Sequence, residues 1–390
     1  MTTASYLVLV AAVSPFVYYV IVLFSAARYR AQQAPGRTPS RASAFQPPVS
    51  ILKPIRGLDP DSYENLASFC RLDYPDYEIV CCIDAEDTSI HHVLDRLARD
   101  FPGHAIRVLE GSGRVATNDK VAKLARMVSE ARHEVVVISD SDVRVRPDYL
   151  RAVTAPLLDP AVGAVTCFYV PLEVKSFADR LQSAGMIADF YAGILTAWQL
   201  DGVKFALGPT IATTRTRLAE FGGYAALENQ PADDLLVGRL IAERGHEVVL
   251  SSYVIQTVSD YGSLRDLIHK RLRWIVVMRH MRPWGHFGLA FTQGLPWTLV
   301  AMAASPSWAV ARVFLGIYVT LRAVIMWSIG SGILKQPLRW RELALIPVWD
   351  AMAFFIWLAS FTRRSIRWRG ADYYIQDGRL VLVDRPDVSV

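Results

Sequence analysis

The chain reads as an α/β protein: a mostly parallel sheet with helices on both faces, plus transmembrane helices at both ends. Three observations predict this. Strand-like and helix-like segments alternate from Val49 onward, the run Val135-Val136-Val137-Ile138 is β-branched without a break, and the apolar excess is concentrated at the two ends. Alternating strands and helices imply parallel strands joined by right-handed crossovers. An unbroken β-branched run reads as a strand buried on both faces, as a parallel sheet requires.

The elements follow in order. Tyr6 to Ala27 carries no charge, and about 20 apolar residues span a bilayer as a helix. Ser25-Ala26-Ala27 looks like a cleavage site, yet no Lys or Arg precedes the segment, whereas Arg28, Arg30, Arg37 and Arg41 follow it. A signal peptide starts with positive charge, so residues 1–28 are predicted to be an uncleaved anchor with the following residues cytoplasmic. Residues 29–47, rich in Ala, Gln, Pro, Arg and Ser, read as a linker. The domain at 48–260 then shows strands at Val49–Leu52, Glu78–Ile83, Ala105–Leu109 and Glu134–Ser139. Between them lie helices at Asp61–Arg71, which Asp61 can cap, Ile90–Asp100 and Asn118–Ala131. Later strands fall at Ala164–Val170, Leu207–Thr213 and Glu247–Ser251, and later helices at Ser176–Leu200 and Ala232–Arg244.

Residues 261–286 form a basic amphipathic helix that carries Arg265, Lys270, Arg271, Arg273 and Arg279 among apolar residues, a pattern suited to a bilayer surface. Membrane segments occupy 287–362: Trp308–Leu334 with Arg312 and Arg322, Leu343–Phe361 with Asp350, and the weaker Phe287–Ala304. Residues 363–390 read as a cytoplasmic-type tail. One conflict stands. Arg363, Arg364, Arg367 and Arg369 belong inside, but so do Lys335, Arg339 and Arg341 on the other side of Leu343–Phe361. Both clusters cannot be cytoplasmic if Leu343–Phe361 crosses completely; a re-entrant or interfacial apolar segment would resolve the conflict, and the sequence leaves open which.

Composition agrees with a membrane protein. Hydrophobic residues make up 52% of the 390 and charged ones 20%, which leans apolar for a soluble domain. The net charge of +5 sits mostly beside the apolar segments. No basic stripe on a soluble face suggests nucleic acid, and an anionic leaflet is the simpler partner. Cys70, Cys81, Cys82 and Cys167 fit no zinc spacing and are expected to be free core thiols. The sequence sets no oligomeric state.

The chemistry is concentrated in acids. Ser139-Asp140-Ser141-Asp142 follows the β-branched strand, at the strand end where parallel sheets bind ligands. Two carboxylates one residue apart there can hold a divalent cation against a diphosphate, although Asp and Ser also make plain surface turns. Asp84 ends its own strand in the same way. Asn118-Asp119-Lys120 opens a helix after Gly111-Ser112-Gly113, so free N–H groups and Lys120 can meet a phosphate; an ordinary capped helix explains it equally well. Asp233-Asp234 also opens a helix. Capping explains one acid, and the other is a candidate general base for a hydroxyl acceptor. In Lys270-Arg271-Leu272-Arg273-Trp274, the choice lies between interfacial anchoring and Arg273 clamping a departing diphosphate.

Taken together, these motifs resemble the ceramide glucosyltransferase family of membrane-anchored, GT-A (Rossmann-like) glycosyltransferases, whose relatives include bacterial enzymes acting on hopanoids. The resemblance covers roughly 49–288. It is most specific in Ser50-Ile51-Leu52-Lys53-Pro54-Ile55-Arg56-Gly57-Leu58-Asp59, followed by Tyr63-Glu64-Asn65-Leu66 and Leu72-Asp73-Tyr74-Pro75. The family pattern D, D, D, (Q/R)xxRW falls on Asp84, Asp142, Asp234 and Arg273-Trp274, with Lys270 standing where the family has Gln or Arg. The resemblance implies that Asp234 is the catalytic base and that Asp142, with Asp140, holds Mg²⁺ or Mn²⁺. Asp84, Asn118, Lys120, Asp140, Arg273 and Trp274 would contact the donor. Asp233, Gly208, Pro209, Thr210 and Trp274 would border the acceptor. The implied reaction is an inverting transfer from a UDP-sugar to the primary hydroxyl of a membrane lipid, with ceramide as the acceptor. Alternatives are N-acetylglucosamine transfer to a hopanoid, a polysaccharide synthase, and a non-enzymatic lipid-binding scaffold. The expected setting is a bacterial-type inner membrane, with the catalytic domain facing the cytoplasm.

Overall fold

The computed structural model describes residues 3–33, 45–113, 116–258, 261–305, 307–337, 340–368, 371–376 and 378–383. Eight strands build the main sheet: β1 (Val49–Pro54), β2 (Tyr77–Ile83), β3 (Ala105–Glu110), β4 (Val135–Ile138), β5 (Val143–Arg144), β6 (Val162–Pro171), β7 (Ile211–Thr214) and β8 (Glu247–Thr257). Their order is β3-β2-β1-β4-β7-β6-β8-β5. β3, β2, β1 and β4 run parallel, as do β6 and β8, while β7 runs antiparallel between β4 and β6. The parallel half therefore delivers the ends of β1, β2 and β4 to one edge, and the Asp84 and Asp140 loops leave from there.

Side-chain alternation in these strands feeds two cores. Leu52, Val80, Cys82, Val136 and Ile138 face one way; Ile51, Ile79, Cys81, Val135 and Val137 face the other. All four cysteines are buried and free. The first core runs on without a break into the anchor helix Ser14–Gln32 through Phe16, Tyr19, Val22, Ala26 and Tyr29. Tyr29 fixes the join, donating to the carbonyls of Leu250 (3.2 Å) and Ser251 (3.0 Å).

Several expectations change in detail. Leu207–Thr213 is not one strand. Leu207 bridges to Thr210 around Gly208-Pro209, and β7 starts only at Ile211, as a Gly-Pro pair punctuates a strand. Asp61 does not cap its helix. Its backbone is left-handed (φ 58°), no side-chain bond reaches Ser62–Cys70, and its carboxylate lies 3.5 Å from Arg144 instead. The helix predicted over 176–200 starts in a Ser176–Asp179 capping box but widens to a π-helical turn at Met186–Phe190. The carbonyl of Ala188 in that turn accepts from Arg322 at 2.8 Å. The tail holds a three-stranded antiparallel sheet, β9 (Ser365–Trp368), β10 (Ala371–Gln376) and β11 (Arg379–Leu382). Its Ile366, Ile375 and Leu380 pack on Val276 and Val277 of helix Leu264–Met281.

Three helices are long and apolar enough to cross a membrane: Ser5–Gln32, Trp308–Ser331 and Trp340–Thr362. A pair bent by 50°, Pro283–Thr292 with Gly294–Ala304, is a fourth candidate. Two of the charges that interrupt the later segments, Arg322 and Asp350, meet each other. Arg322 donates to Asp350 (3.1 Å) and to Asp189 (3.0 Å), and Tyr318 donates to Asp350 (2.8 Å). Pairing of this kind is what an ionisable group in an apolar helix requires.

The helix behind the acidic pair, Asp233–Glu243, lies against a bare backbone. A Cβ on Gly238 would stand 2.1 Å from the carbonyl carbon of Phe205. Gly238→Ala is therefore expected to destabilise the protein by about 3 kcal/mol, the upper range for overpacking, and a thermal melt in detergent would measure it.

Candidate active site

The acids at the sheet edge are held by lysines of the helix Asp119–Glu130. Lys120 and Lys123 lie one turn apart and face the same edge. Lys120 Nζ is 2.6 Å from Asp140 and 3.7 Å from Asp233. Burial works against its charge, but the carboxylates of Asp140, Asp233 and Asp234 outweigh burial and raise its pKa above the usual lysine value. Lys123 Nζ lies 2.5 Å from Asp84 and 3.1 Å from Asp119, and donates to the Ile55 carbonyl at 2.8 Å. The helix start thus ties the ends of β1, β2 and β4 to the start of Asp233–Glu243. These acids, far apart in sequence, belong to one cluster.

Asp234 is positioned by backbone. One carboxylate oxygen accepts from the Gly208 N–H at 3.0 Å and the other from the Leu235 N–H at 2.8 Å. Burial, and then the neighbouring Asp233, pushes its pKa up to about 6, which suits a base working near neutrality. Gly208 also marks how tight the cluster is: a Cβ there would stand 2.9 Å from Asp234 Oδ2 and 3.6 Å from Asp140 Oδ2. A carboxylate base acts only when deprotonated, and a raised pKa moves that requirement upward. Turnover is therefore expected to fall below about pH 6, by roughly tenfold per pH unit. A kcat–pH profile measures the limb, and an Asp234 variant should lack it.

Asp142 is the second perturbed acid. Burial, then Asp140 and Asp59, pushes it up to about 7, against the opposing pull of Lys270 and Lys53. Among the described residues no cation lies within 4 Å of it, and no three His, Cys, Asp or Glu side chains cluster as a metal site. A divalent ion can still be held by one or two carboxylates together with substrate phosphates. Mutually repelling Asp142 and Asp140 fit that need, because a cation removes the repulsion that raises Asp142.

The remaining expected residues fall in different places. Asn118 is fully buried; its amide donates to the Gln230 carbonyl at 3.1 Å and its Oδ1 finds no partner among the described residues. It clasps the loop before Asp233 and does not cap its helix. Thr210 is also fully buried, between Tyr149 (3.1 Å) and Thr166 (2.9 Å), leaving Pro209 as the partly exposed member of its turn. Trp274 packs on Phe190 at 5.9 Å, and the Arg273 guanidinium stands 5.6 Å from the Trp368 ring of the tail. Lys270 of the basic helix is a cation whose charge acts on Asp142; its ammonium lies 4.6 Å from the Tyr261 ring. A cleft of about 510 Å³ lined by Lys204, Arg239, Met281 and Arg282 lies at the far end of helix Asp233–Glu243, away from these acids.

Lys53 was given no role by sequence reasoning. It is fully buried, donates to the Asp140 carbonyl at 2.7 Å and sits 3.7 Å from the Phe69 ring. Burial pushes its pKa down to about 7. Asp59 accepts a bond from Ser141. The distinctive opening Ser50–Asp59 thus underlies the Asp140–Asp142 loop. That motif was the available signal, but only the fold shows what it supports.

A mixed α/β sheet with acidic strand ends of this kind is the GT-A glycosyltransferase fold, and the solved structures agree. The chain superposes with a TM-score of 0.56 on the mannosyltransferase PcManGT from Pyrobaculum calidifontis, described in complex with GDP-Man and Mn²⁺, at 19% identity over 92% of this chain and 98% of that one. The model of the family described as "Glycosyl transferase family 21" matches residues 7–381, and the chain belongs to that family. It is 24% identical to ceramide glucosyltransferase 3 of Caenorhabditis elegans, over 86% of this chain and 74% of that protein. Over 34% of this chain it is 32% identical to a ceramide glucosyltransferase of Komagataella phaffii, covering 28% of that protein. The protein is a glycosyltransferase with helices of membrane-spanning length.

Proposed function

We propose that the chain transfers a sugar, with inversion, from a UDP-sugar to the primary hydroxyl of a membrane lipid, with ceramide as the acceptor. The observation that carries this is Asp234: a buried carboxylate, gripped by two N–H groups and raised to about 6, in the same cluster as Asp140. A hydroxyl acceptor needs such a base, whereas a phosphate acceptor is already ionised. The lipid is supported by the relatives' names and by the apolar helices that continue one core of the catalytic domain.

In this reading Asp234 removes the hydroxyl proton as the oxygen attacks the anomeric carbon. Asp84 and Lys123 border the uridine, and Arg273 meets the diphosphate after leaving Trp368. Asp142 with Asp140 would hold Mg²⁺ or Mn²⁺, which when bound supplies Lewis-acid relief of charge on the leaving UDP. Lys120 bridges Asp140 and Asp233 and offsets part of their charge, so the cluster tolerates that many acids. The domain works on the cytoplasmic side, where Arg28 and Arg30 follow the anchor.

The test is to incubate the detergent-solubilised protein with UDP-glucose, UDP-galactose, UDP-N-acetylglucosamine and GDP-mannose, each with ceramide, a hopanoid or a polyprenyl phosphate. Mass spectrometry reads the product. A singly glycosylated ceramide formed from a UDP-sugar is expected. Product only on the polyprenyl phosphate, or a polymer, would sink the proposal.

A further inference from the structure

The arginine conflict of the carboxyl-terminal segments has a geometric answer. Counted from Trp340, the helix that ends at Thr362 is long and apolar enough to cross a membrane. Over Ile346–Thr362 it touches Gly294–Ala304, and its Asp350 meets Tyr318 and Arg322 of the neighbouring span, but its most extensive packing is on another element. It lies lengthwise along the basic helix Leu264–Met281. Near its start, the Trp349 ring stacks 4.7 Å from the Arg271 guanidinium; at its end, Arg279 donates to the carbonyls of Ser360 and of Arg363, the latter at 2.8 Å. A helix with Arg265, Lys270, Arg271, Arg273 and Arg279 cannot enter the hydrocarbon, where each such charge costs several kcal/mol. Its side-by-side partner therefore stays with it.

The start of the apolar helix also touches the sheet domain. Trp349 donates to Asp189 at 2.5 Å and fills the space a Cβ on Gly185 would need. Beyond the other end, the tail packs on the basic helix, and Leu380 N–H donates to the Asn229 carbonyl at 2.7 Å. The segment before the helix is on the same side. A Cβ on Gly332 would lie 3.1 Å from an Arg30 guanidinium nitrogen, at the domain end of the anchor.

The crossings are made elsewhere. Helix Gly294–Ala304 packs on the first helix, Thr3–Ala11, at the far end of the anchor, and the Gly294 N–H donates to Tyr19 halfway along it (3.1 Å). Helix Trp308–Met326 then returns beside the anchor, with Phe314 against Phe16 at 5.7 Å. Its exposed Trp308 and Trp327 stand about 28 Å apart along the axis, close to the hydrocarbon thickness that interfacial tryptophans bracket.

We propose that the bent pair and Trp308–Ser331 are the two carboxyl-terminal crossings, while helix Ile346–Thr362 lies in the plane of the leaflet on the sheet-domain side. With the basic helix it forms a platform whose partner is the lipid of that leaflet. Val348, Phe355, Leu358 and Phe361 fall on one outer arc and are exposed, the face that acyl chains would cover. Trp349, Ile356 and Ser360 fall on the opposite, buried arc. Lys335, Arg341, Arg363 and Arg364 then all reach the headgroups of one leaflet, and the conflict in the sequence disappears.

Two measurements test this in the full chain, whatever its substrate. Single cysteines replace Ser307, Pro337 and Ser365 in intact and in inverted membranes, and a membrane-impermeant maleimide is added; the four native thiols are buried and give little background. Pro337→Cys and Ser365→Cys are expected to react from the same face, and Ser307→Cys from the other. Reaction of positions 337 and 365 from opposite faces would overturn the proposal. Second, a fluorophore at Val348→Cys, Phe355→Cys or Phe361→Cys in vesicles is quenched by spin labels at graded depths. An in-plane helix gives three similar shallow depths. A crossing helix would bury position 355 about 10 Å deeper than the other two, and that result also ends the proposal.

Discussion

Asp234→Asn is expected to reduce turnover about 100-fold or more, the loss typical of a missing general base, with donor binding almost unchanged. The substitution keeps the shape of the side chain, so the Gly208 turn should stay in place. It is not electronically silent. Both carboxylate oxygens accept N–H bonds, from Gly208 and Leu235, and an amide can replace only one of them. The lost bond is worth about 1 kcal/mol, too little to unfold the domain. Calorimetry with UDP and a melting curve would therefore look near normal while lipid glycosylation collapses. If glycosylation in the variant is unchanged, Asp234 is a structural carboxylate and the proton goes elsewhere. Asp233 does not offer a ready substitute, because it is buried and faces Lys120.

How far the sequence led depends on whether a signal was local. The run Val135–Ile138 announced β4 because both faces of a central parallel strand are buried, and β4 lies between β1 and β7. Asp84 and Asp140 were placed correctly at strand ends by the same local rule. The failures needed distant partners. The π-helical turn at Met186–Phe190 offers its Ala188 carbonyl to Arg322, more than a hundred residues on. Lys53 and Lys123 carry no local sign of burial, and their places beside Asp140 and Asp84 follow only from how the strands and the helix Asp119–Glu130 pack together. Asn118 carries the composition of a cap, but the loop at Glu228–Gln230 claims it. The small sheet of the tail was invisible because its strands of four to six residues are stabilised by the apolar stripe of the basic helix and not by their own pattern.

Asp142→Ala should remove the metal dependence of UDP binding while leaving the fold at least as stable. The stability follows from charge. Asp142 is raised to about 7 because burial, Asp140 and Asp59 all oppose its ionised form, so deleting it relieves repulsion and breaks no ion pair among the described residues. The binding loss follows from ligand count. Second-shell changes at metal sites already cost about 10–100-fold in affinity, so losing one of two protein ligands should cost at least the upper end, about 100-fold. Protons report the same site independently. A carboxylate titrating near 7 must lose its proton to admit a cation, so metal-dependent UDP affinity in the unaltered protein should weaken as the pH falls below 7. The Ala variant should show no such trend. Calorimetry with UDP, with and without Mn²⁺, at two pH values and in both proteins separates the contributions. If affinity ignores metal, pH and the substitution alike, the carboxylates of the Asp140–Asp142 loop do not hold an ion. The cluster would then have to neutralise the diphosphate with Lys120, Lys270 and Arg273 alone.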